Sequence, residues 1–363
     1  MAFPTETVYG LGANALDESA VLSIFTTKGR PLTDPLIVHV PTKQEALALL
    51  EMSPTTKDIY ELLATTFWPG PLTMVGKAIP AIPLMVTAGT GFVGIRCPQH
   101  ELARRLLIEA RVPVAAPSAN RFGHVSPTTA QHVYEDLGGH SIAIIDGESQ
   151  QPGDNGSTEA TCNVGIESTV AKVDGVSKKI IIFRRGGVSE SAIREALSAT
   201  DYTVEALSKK VPHDLSTVPT GAADIQEIDS STKVDLPHSA TGNGEQAPGQ
   251  CLTHYAPDVP TSLVRCGGGV GGSGNGSGGG GSGSGGSGSG SGSGLETTMD
   301  GVSCEVCTTP LSACVVVDFG GHLQSLRAGA LDYRDLSTTG NVSEAAHELF
   351  DALRWTERVK NGE

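Results

Sequence analysis

The chain has 363 residues, long enough for two domains, yet only 38 % of it is apolar and 46 residues are Gly. Its formal net charge of −15 argues against broad, non-specific nucleic-acid binding and leaves room for one local basic cluster. There is no secretory core segment and no apolar run of about 18 residues, so no membrane span is expected. Seven irregularly spaced cysteines (Cys97, Cys162, Cys251, Cys266, Cys304, Cys307 and Cys314) read as reduced thiols of a cytosol-like compartment.

Residues 3–15, FPTETVYGLGANA, crowd hydroxyls, a carboxylate and glycines into one short stretch. Residues 20–28 place Val21, Ile24 and Phe25 on one helical face, and Gly29 and Pro31 then stop the helix. Residues 36–40, LIVHV, read as a buried strand. Thr42 and Glu45 form a capping box for a helix through Leu50. Strands are expected at Ile95–Cys97 and Val112–Ala116, with an amphipathic helix over 101–110 between them. Ser126-Pro127 marks a helix start, closed at Gly138-Gly139. Strands at 141–146, 168–173 and 180–184 and a helix at 189–198 complete an α/β pattern. The later strands follow one another closely, which favours a mixed sheet.

Four regions are expected: a catalytic domain over 1–205, a polar, Pro-rich linker over 206–262, a tether over 263–300 and a small α/β segment over 301–363. The tether is almost pure Gly and Ser, cannot bury enough apolar surface to order itself, and spans about 30 Å as a random coil. Beyond it, Cys314–Phe319 reads as a buried strand. Residues 343–357 read as an amphipathic helix with Ala346, Leu349, Phe350 and Leu353 on one face. That core is thin for independent stability.

Three function classes can be tested on these residues. Gly10, Gly12 and Ala15 fit a dinucleotide fingerprint, but the following helix starts late and Lys28 and Arg30 stand where an acidic ribose-binding residue is needed. A second class is an enzyme handling anionic substrates. Lys28 and Arg30 lie at a helix end, Arg96, Arg184 and Arg185 at strand ends, and Ser118 and Asn120 in a run of small residues. Arginine suits such ligands because its fork makes paired, charge-assisted hydrogen bonds. Each feature has an ordinary alternative. Lys28 and Arg30 also complement a helix C-terminus, Ser126 is a plausible N-cap, His39 can be a core histidine, and Thr5 and Thr7 can be strand residues. The third class is a double-stranded RNA or tRNA-binding module without catalysis; the acidic balance and the absence of interleaved aromatic and basic residues count against it. Cys304-x-x-Cys307, with Cys314 and His322, can be read as a zinc set, but a lone CxxC lacks a second pair.

FPTETVYGLGANA, KGRP, DPLIVHV, WPGPLT, GIRCP, PVAAPSAN, SPTTAQHV and GIESTV occur in this order. Together with His254-Tyr255-Ala256-Pro257, they resemble the long form of the YrdC-like threonylcarbamoyl-AMP synthase family. The resemblance implies a YrdC-like twisted mixed β-sheet with flanking helices around a basic cavity, plus a small, incomplete Rossmann-like C-terminal domain. It implies condensation of L-threonine, bicarbonate or CO2, and ATP to L-threonylcarbamoyladenylate and pyrophosphate. It assigns Thr7, His39, Arg96, Ala116 and Ser168 to threonine, and Arg30, Asp34, Phe92, Ser118, Ser126, Arg184 and Leu252 to ATP. Lys28 and Arg30 become the catalytic cations. Mg2+ enters with ATP, no tightly bound cofactor is implied, and tRNA or the downstream threonylcarbamoyl transferase are further partners. A cytoplasmic location follows, with mitochondrial targeting left open.

The sequence also departs from the family pattern. Members begin earlier, with a helix and the first part of a strand that FPTETVYG completes, so the chain reads as truncated at both ends. The missing strand partner implies an unpaired sheet edge. Asp34 stands where Asn is usual, which places a negative charge near ATP. Residues 150–163 are a polar insertion.

Overall fold

The computed structural model describes residues 1–147, 161–207 and 310–362, together with 257, 259, 265–266 and 302–303. β1 (Ala2–Phe3) pairs antiparallel with β2 (Gly10–Leu11), so residues 4–9 form a bend and not the continuous strand expected of FPTETVYG. The glycines of the dinucleotide-like motif serve packing. A Cβ on Gly10 would lie 3.3 Å from that of Ala116, and one on Gly12 would lie 2.8 Å from both Phe3 and Val114. No helix follows directly: β3 (Ala13–Asn14) comes first, and then α1 (Glu18–Lys28).

Asp17 caps α1 through the amides of Ser19 and Ala20, and Gly29 closes it at φ 62°, a left-handed turn that glycine adopts without strain. Val21, Ile24 and Phe25 are buried as their spacing predicts, and so is Lys28. β4 (Ile37–His39) is followed by α2 (Lys43–Ala48), capped by Thr42 and two residues shorter than expected. α3 (Pro54–Phe67) and β5 (Leu72–Lys77) fall where no element was expected. Ile59, Tyr60, Leu63 and Ala64 give α3 its buried stripe.

β6 (Phe92–Arg96), α4 (Glu101–Ala110) and β7 (Val114–Ala115) follow the expected order. α5 (Ala130–Leu137) starts later than Ser126-Pro127 suggests, because Thr129 takes the cap and accepts from the His132 amide. The strand expected at 141–146 reduces to a single bridge between Ala2 and Ile144, since β1 offers only two residues. β8 (Thr169–Asp174), β9 (Lys179–Arg184), α6 (Glu190–Ala196) and β10 (Thr203–Ala206) complete this part.

Eight strands form one mixed sheet in the order β10-β9-β8-β5-β6-β4-β7-β3. Parallel pairs (β10/β9, β8/β5, β6/β4) alternate with antiparallel ones from β10 to β4, and the last two pairs, β4/β7 and β7/β3, are both antiparallel. Leu72, Met74, Ile95, Ile180 and Ile182 fill its centre, and Val21, Ile24, Leu63 and Leu137 of the helices pack on them.

β11 (Arg265–Cys266) and β12 (Val302–Ser303) form a short antiparallel pair. β13 (Val315–Asp318) and β14 (Asp332–Asp335) pair in parallel and precede α7 (Val342–Asn361). Within α7, Phe350 is buried as predicted, whereas Ala346, Leu349 and Leu353 are only partly so. The other buried positions of α7 are Ala352, Arg354 and Thr356. The helix therefore presents a mixed face, and that face lies against the larger sheet region: Phe350 and Leu353 pack on Val8 and Val125. Of the linker only 206–207, 257 and 259 are described, and of the tether only Arg265–Cys266, which form β11; the rest of both, the 150–160 part of the insertion, the His254-Tyr255 motif, Leu252, Cys304 and Cys307 lie outside the described residues.

Candidate active site

Sheet register brings the expected polar residues to one edge. His39 is opposite Arg96 at the ends of β4 and β6. β5 runs antiparallel to β6 and parallel to β8, so the end of β6 lies near the start of β8, where Ser168 precedes Thr169. β9 returns antiparallel and ends on Arg184 beside Val170. The residue-4–9 bend and the Ala116–Ser118 turn close the space. The resulting cavity, about 530 Å³ including its open mouth, is lined by Thr7, Arg30, His39, Arg96, Ala116, Ser118, Ser168 and Arg184, with Thr5, Val8 and Glu167 among the others. A concave site with several convergent polar groups suits a small-molecule ligand.

Each cavity arginine is fixed by a carboxylate and by oxygens. Arg96 pairs with Glu6 at 2.7 Å, donates to Thr7 Oγ1 at 2.8 Å and reaches Gly70 O. Arg30 pairs with Asp34 at 2.9 Å and donates to the carbonyls of Asp34 and Pro35. Arg184 pairs with Glu167 at 2.8 Å and holds Ser168 through its carbonyl and its hydroxyl, both at 3.0 Å. Arg30, Arg96 and Arg184 outnumber Glu167 on the cavity wall, and each of the three is oriented by a carboxylate. The carboxylate of Asp34 is turned onto Arg30 and does not stand as an isolated charge.

Hydroxyls complete the frame. Thr5 Oγ1 donates to Val8 O at 2.7 Å and accepts from the amides of Thr7 and Val8, which locks the bend. Ser126 donates to Glu167 at 2.6 Å, so it serves the site's ion pair and not a helix cap. The Thr73 hydroxyl meets that of Ser168 at 2.8 Å.

Lys28 is not on the cavity wall. It stands behind it, donating to Ser118 O at 2.6 Å, to the Asn120 carbonyl and to Asn120 Oδ1 at 3.3 Å. Its role as a helix-end complement is thereby replaced by a tertiary one. Burial, then the neighbouring Arg30, lowers its pKa to about 7. Asn120 also accepts from Ser118 Oγ at 2.5 Å and donates to His124 O at 2.7 Å. His39 both packs in the core, edge-on to Phe3 at 6.3 Å, and lines the cavity. Burial and Arg96 push its pKa down to about 3, so the imidazole is neutral.

Phe92 stands apart. It sits at the opposite end of β6 from Arg96, packed with Val75, Val170 and Phe183, and Lys172 Nζ lies 4.4 Å from its ring centre. Glu6 and Thr73 carry no expected role, although both are buried and hold site residues. A carboxylate between two threonines in a glycine-rich stretch is the sequence signal for Glu6. Nothing local marks Thr73. Among the described residues, no group of three or more His, Cys, Asp or Glu side chains could hold a metal ion, and no helix is long and apolar enough to cross a membrane.

Fold and site define an α/β protein whose sheet edge presents arginines, hydroxyls and a lysine-braced loop to one small polar cavity. A family model described as "Telomere recombination" matches residues 1–186, and one described as "Threonylcarbamoyl-AMP synthase, C-terminal domain" matches residues 202–362. The chain belongs to this two-part Sua5/YciO/YrdC family. Relatives carrying the name threonylcarbamoyl-AMP synthase include those of Pyrococcus abyssi, 43 % identical over 54 % of this chain and 53 % of the relative, and Schizosaccharomyces pombe, 39 % identical over 60 % and 55 %. The Bacillus subtilis relative is 36 % identical over 72 % of this chain and 62 % of its own. The chain thus spans between about half and three-fifths of these relatives' lengths. A crystal structure of P. abyssi Sua5 complexed with L-threonine superposes with a TM-score of 0.62 at 27 % identity, covering 98 % of this chain and 81 % of the other.

Proposed function

We propose that this chain is a threonylcarbamoyl-AMP synthase, condensing L-threonine, bicarbonate or CO2, and MgATP to L-threonylcarbamoyladenylate and pyrophosphate. The observation that carries the reading is the convergence of Arg30, Arg96, Ser118 and Arg184, four residues from distant parts of the sequence, on one cavity. The names of the relatives and the threonine complex of the P. abyssi protein support the choice of substrates.

The chemistry asks for two anions to be held together. A carbamate forms on the neutral threonine amine, and its oxygen then attacks the α-phosphorus of ATP. Carbamate and triphosphate repel each other, so catalysis rests on positioning and on preorganised positive charge. Arg96 clamps the threonine carboxylate, with Thr7, neutral His39, Ala116 and Ser168 around it. Arg30 and Arg184 face the phosphates, with Ser118 and Ser126 beside them. Lys28 fixes the carbonyls of Ser118 and Asn120 from behind, and an arriving phosphate favours its charged form. Magnesium arrives as part of the nucleotide substrate. Discrimination of threonine from serine rests on one methyl group, worth about 1–3 kcal/mol.

The product is an activated carbamoyl donor for tRNA modification by a separate transferase, in the cytoplasm. The test is pyrophosphate release from ATP. It is expected only when threonine and bicarbonate are both present, and ATP turnover indifferent to threonine overturns the reading. Tight duplex-RNA binding with a steep salt slope and no pyrophosphate would support a binding module instead.

A further inference from the structure

The loop that carries Ser118, Asn120 and Ser126 is braced on two sides. From inside the fold, Lys28 grips Ser118 and Asn120. From outside, α7 grips the other end of the loop. Arg354, 3 % exposed, donates to Val125 O at 2.5 Å and to both oxygens of Asp136 at 3.1 and 3.0 Å. Asp136 in turn accepts from the Arg121 amide at 3.0 Å and from His124 Nδ1 at 2.9 Å. The other ring nitrogen of His124 meets Glu357 of α7 at 2.9 Å. Phe350 packs on Val125 and on Val8, and Val8 lines the cavity. The carbonyl of His124 receives Asn120 Nδ2, the same side chain that accepts from Lys28 and Ser118.

A buried guanidinium is costly to desolvate and is a poor choice for mere adhesion between two packed surfaces. Its rigid fork instead fixes the direction of the groups it binds. Apart from Glu135, 3.9 Å from the Arg354 guanidinium, the groups held by the Arg354–Asp136 pair lie at Arg121, His124 and Val125, one to five residues from Asn120.

We propose that Arg354 is a positioning residue for the site. Held on α7, it sets the 120–126 loop so that Asn120 presents Ser118 to the cavity and Ser126 meets Glu167. The C-terminal helix is then part of the catalytic framework and not a separate appendage. This rests on the synthase reading only for its effect on turnover, since the effect on the loop is independent of it.

The test compares Arg354→Met and Arg354→Lys in the full chain by amide hydrogen exchange, with ATP binding measured by calorimetry. Arg354→Met is expected to speed exchange at Arg121, Phe122 and His124 at least tenfold, while the amides of β5 and β6 stay within twofold. ATP affinity falls about tenfold and threonine affinity stays within twofold. Arg354→Lys, which keeps the charge but loses the fork, falls between the two. Unchanged exchange in the loop overturns the proposal, and so does a uniform rise across the whole sheet, which marks a purely structural role. Should Arg354→Met fail to fold, Glu357→Gln, at the rim of the same network, is expected to give a smaller rise confined to His124 and its neighbours; no rise there overturns the proposal. Loop exchange that responds in a protein lacking threonine-dependent pyrophosphate release removes the synthase reading and leaves the bracing intact.

Discussion

The sheet region and the C-terminal unit of β13, β14 and α7 are held by different forces. In the sheet region the buried residues are mainly apolar, running without a break from Val21 and Ile24 of α1 through Ile95 to Ile182. In the C-terminal unit the buried apolar residues are few, Val316, Phe350 and Ala352 among them, and the buried polar ones are Asp318, Ser337, Arg354 and Thr356. The join between the two follows the second pattern: a small patch of Phe350 and Leu353 on Val8 and Val125, ringed by Arg354–Asp136, His124–Glu357 and His132–Asp351. Apolar burial is non-directional and tolerates small adjustments. Buried charge pairs are directional and fail when one member is lost. A loop that must hold the cavity's side chains at a fixed angle gains from the second kind of support, and a core that must merely be stable gains from the first.

The sharpest way to break this contrast is to cut the apolar side. Ile95 is fully buried beneath the cavity, one residue before Arg96. Ile95→Ala is expected to lower global stability toward the upper half of the about 2–5 kcal/mol range for such truncations, read as a lower urea midpoint. The loss should be the same in low salt and in about 1 M salt, because screening leaves apolar burial nearly untouched. A salt-sensitive loss would mean that the sheet region, too, depends on charge.

Asp136→Asn attacks the other side. It leaves Arg354 and His124 facing an amide, and hydrogen bonds to charged groups are worth about 1.5–3 kcal/mol. The expected result is faster exchange or proteolysis of α7, with the midpoint of the sheet region close to its parent value. Should sheet and helix instead loosen together, the two regions form a single cooperative unit and the distinction drawn above is wrong.

How much of this is legible in the sequence depends on the range of the interaction. The α1 stripe, the LIVHV strand and the Thr42 cap are local patterns, and the structure keeps them. The start of α5 slips by three to four residues because Ser126 and Thr129 compete for the cap, and only tertiary structure shows that Glu167 engages the Ser126 hydroxyl. Arg96 reads as a strand-end cation, but its partner Glu6 lies 90 residues away, so the pairing of cavity charges is hidden. Arg354 reads as one of several charges on an amphipathic helix. Its burial depends on Asp136, more than two hundred residues earlier, and no spacing rule reaches that far. The motif strings carried the site; the ion pairs that orient it were set by the fold.

The gentlest test uses pH. Burial disfavours the charged form of His124, but hydrogen bonds to Asp136 and Glu357 outweigh it, with Arg354 opposing, and its pKa is raised from 6.5. Hydrogen bonds from His124 and Arg354 overcome burial at Asp136, and the hydrogen bond from His132 leads at Asp351; both carboxyls are lowered from 3.8. A raised histidine adds stability that is fully present below about pH 6.5 and is lost as pH rises through its folded value. The lowered carboxyls add stability that is present above about pH 3.8 and is lost as pH falls further. Docking of α7 should therefore be tightest between these limits. The amides of α7, corrected for intrinsic exchange, are expected to lose protection as pH is raised beyond 6.5, with those of β5 and β6 unchanged. Glu357→Gln removes one of the two carboxylates facing His124 and should shift the onset of that loss to lower pH. If α7 and the central strands respond to pH in parallel, the histidine contributes nothing specific to the join, and its apolar patch, with the Arg354–Asp136 pair, is sufficient to hold it.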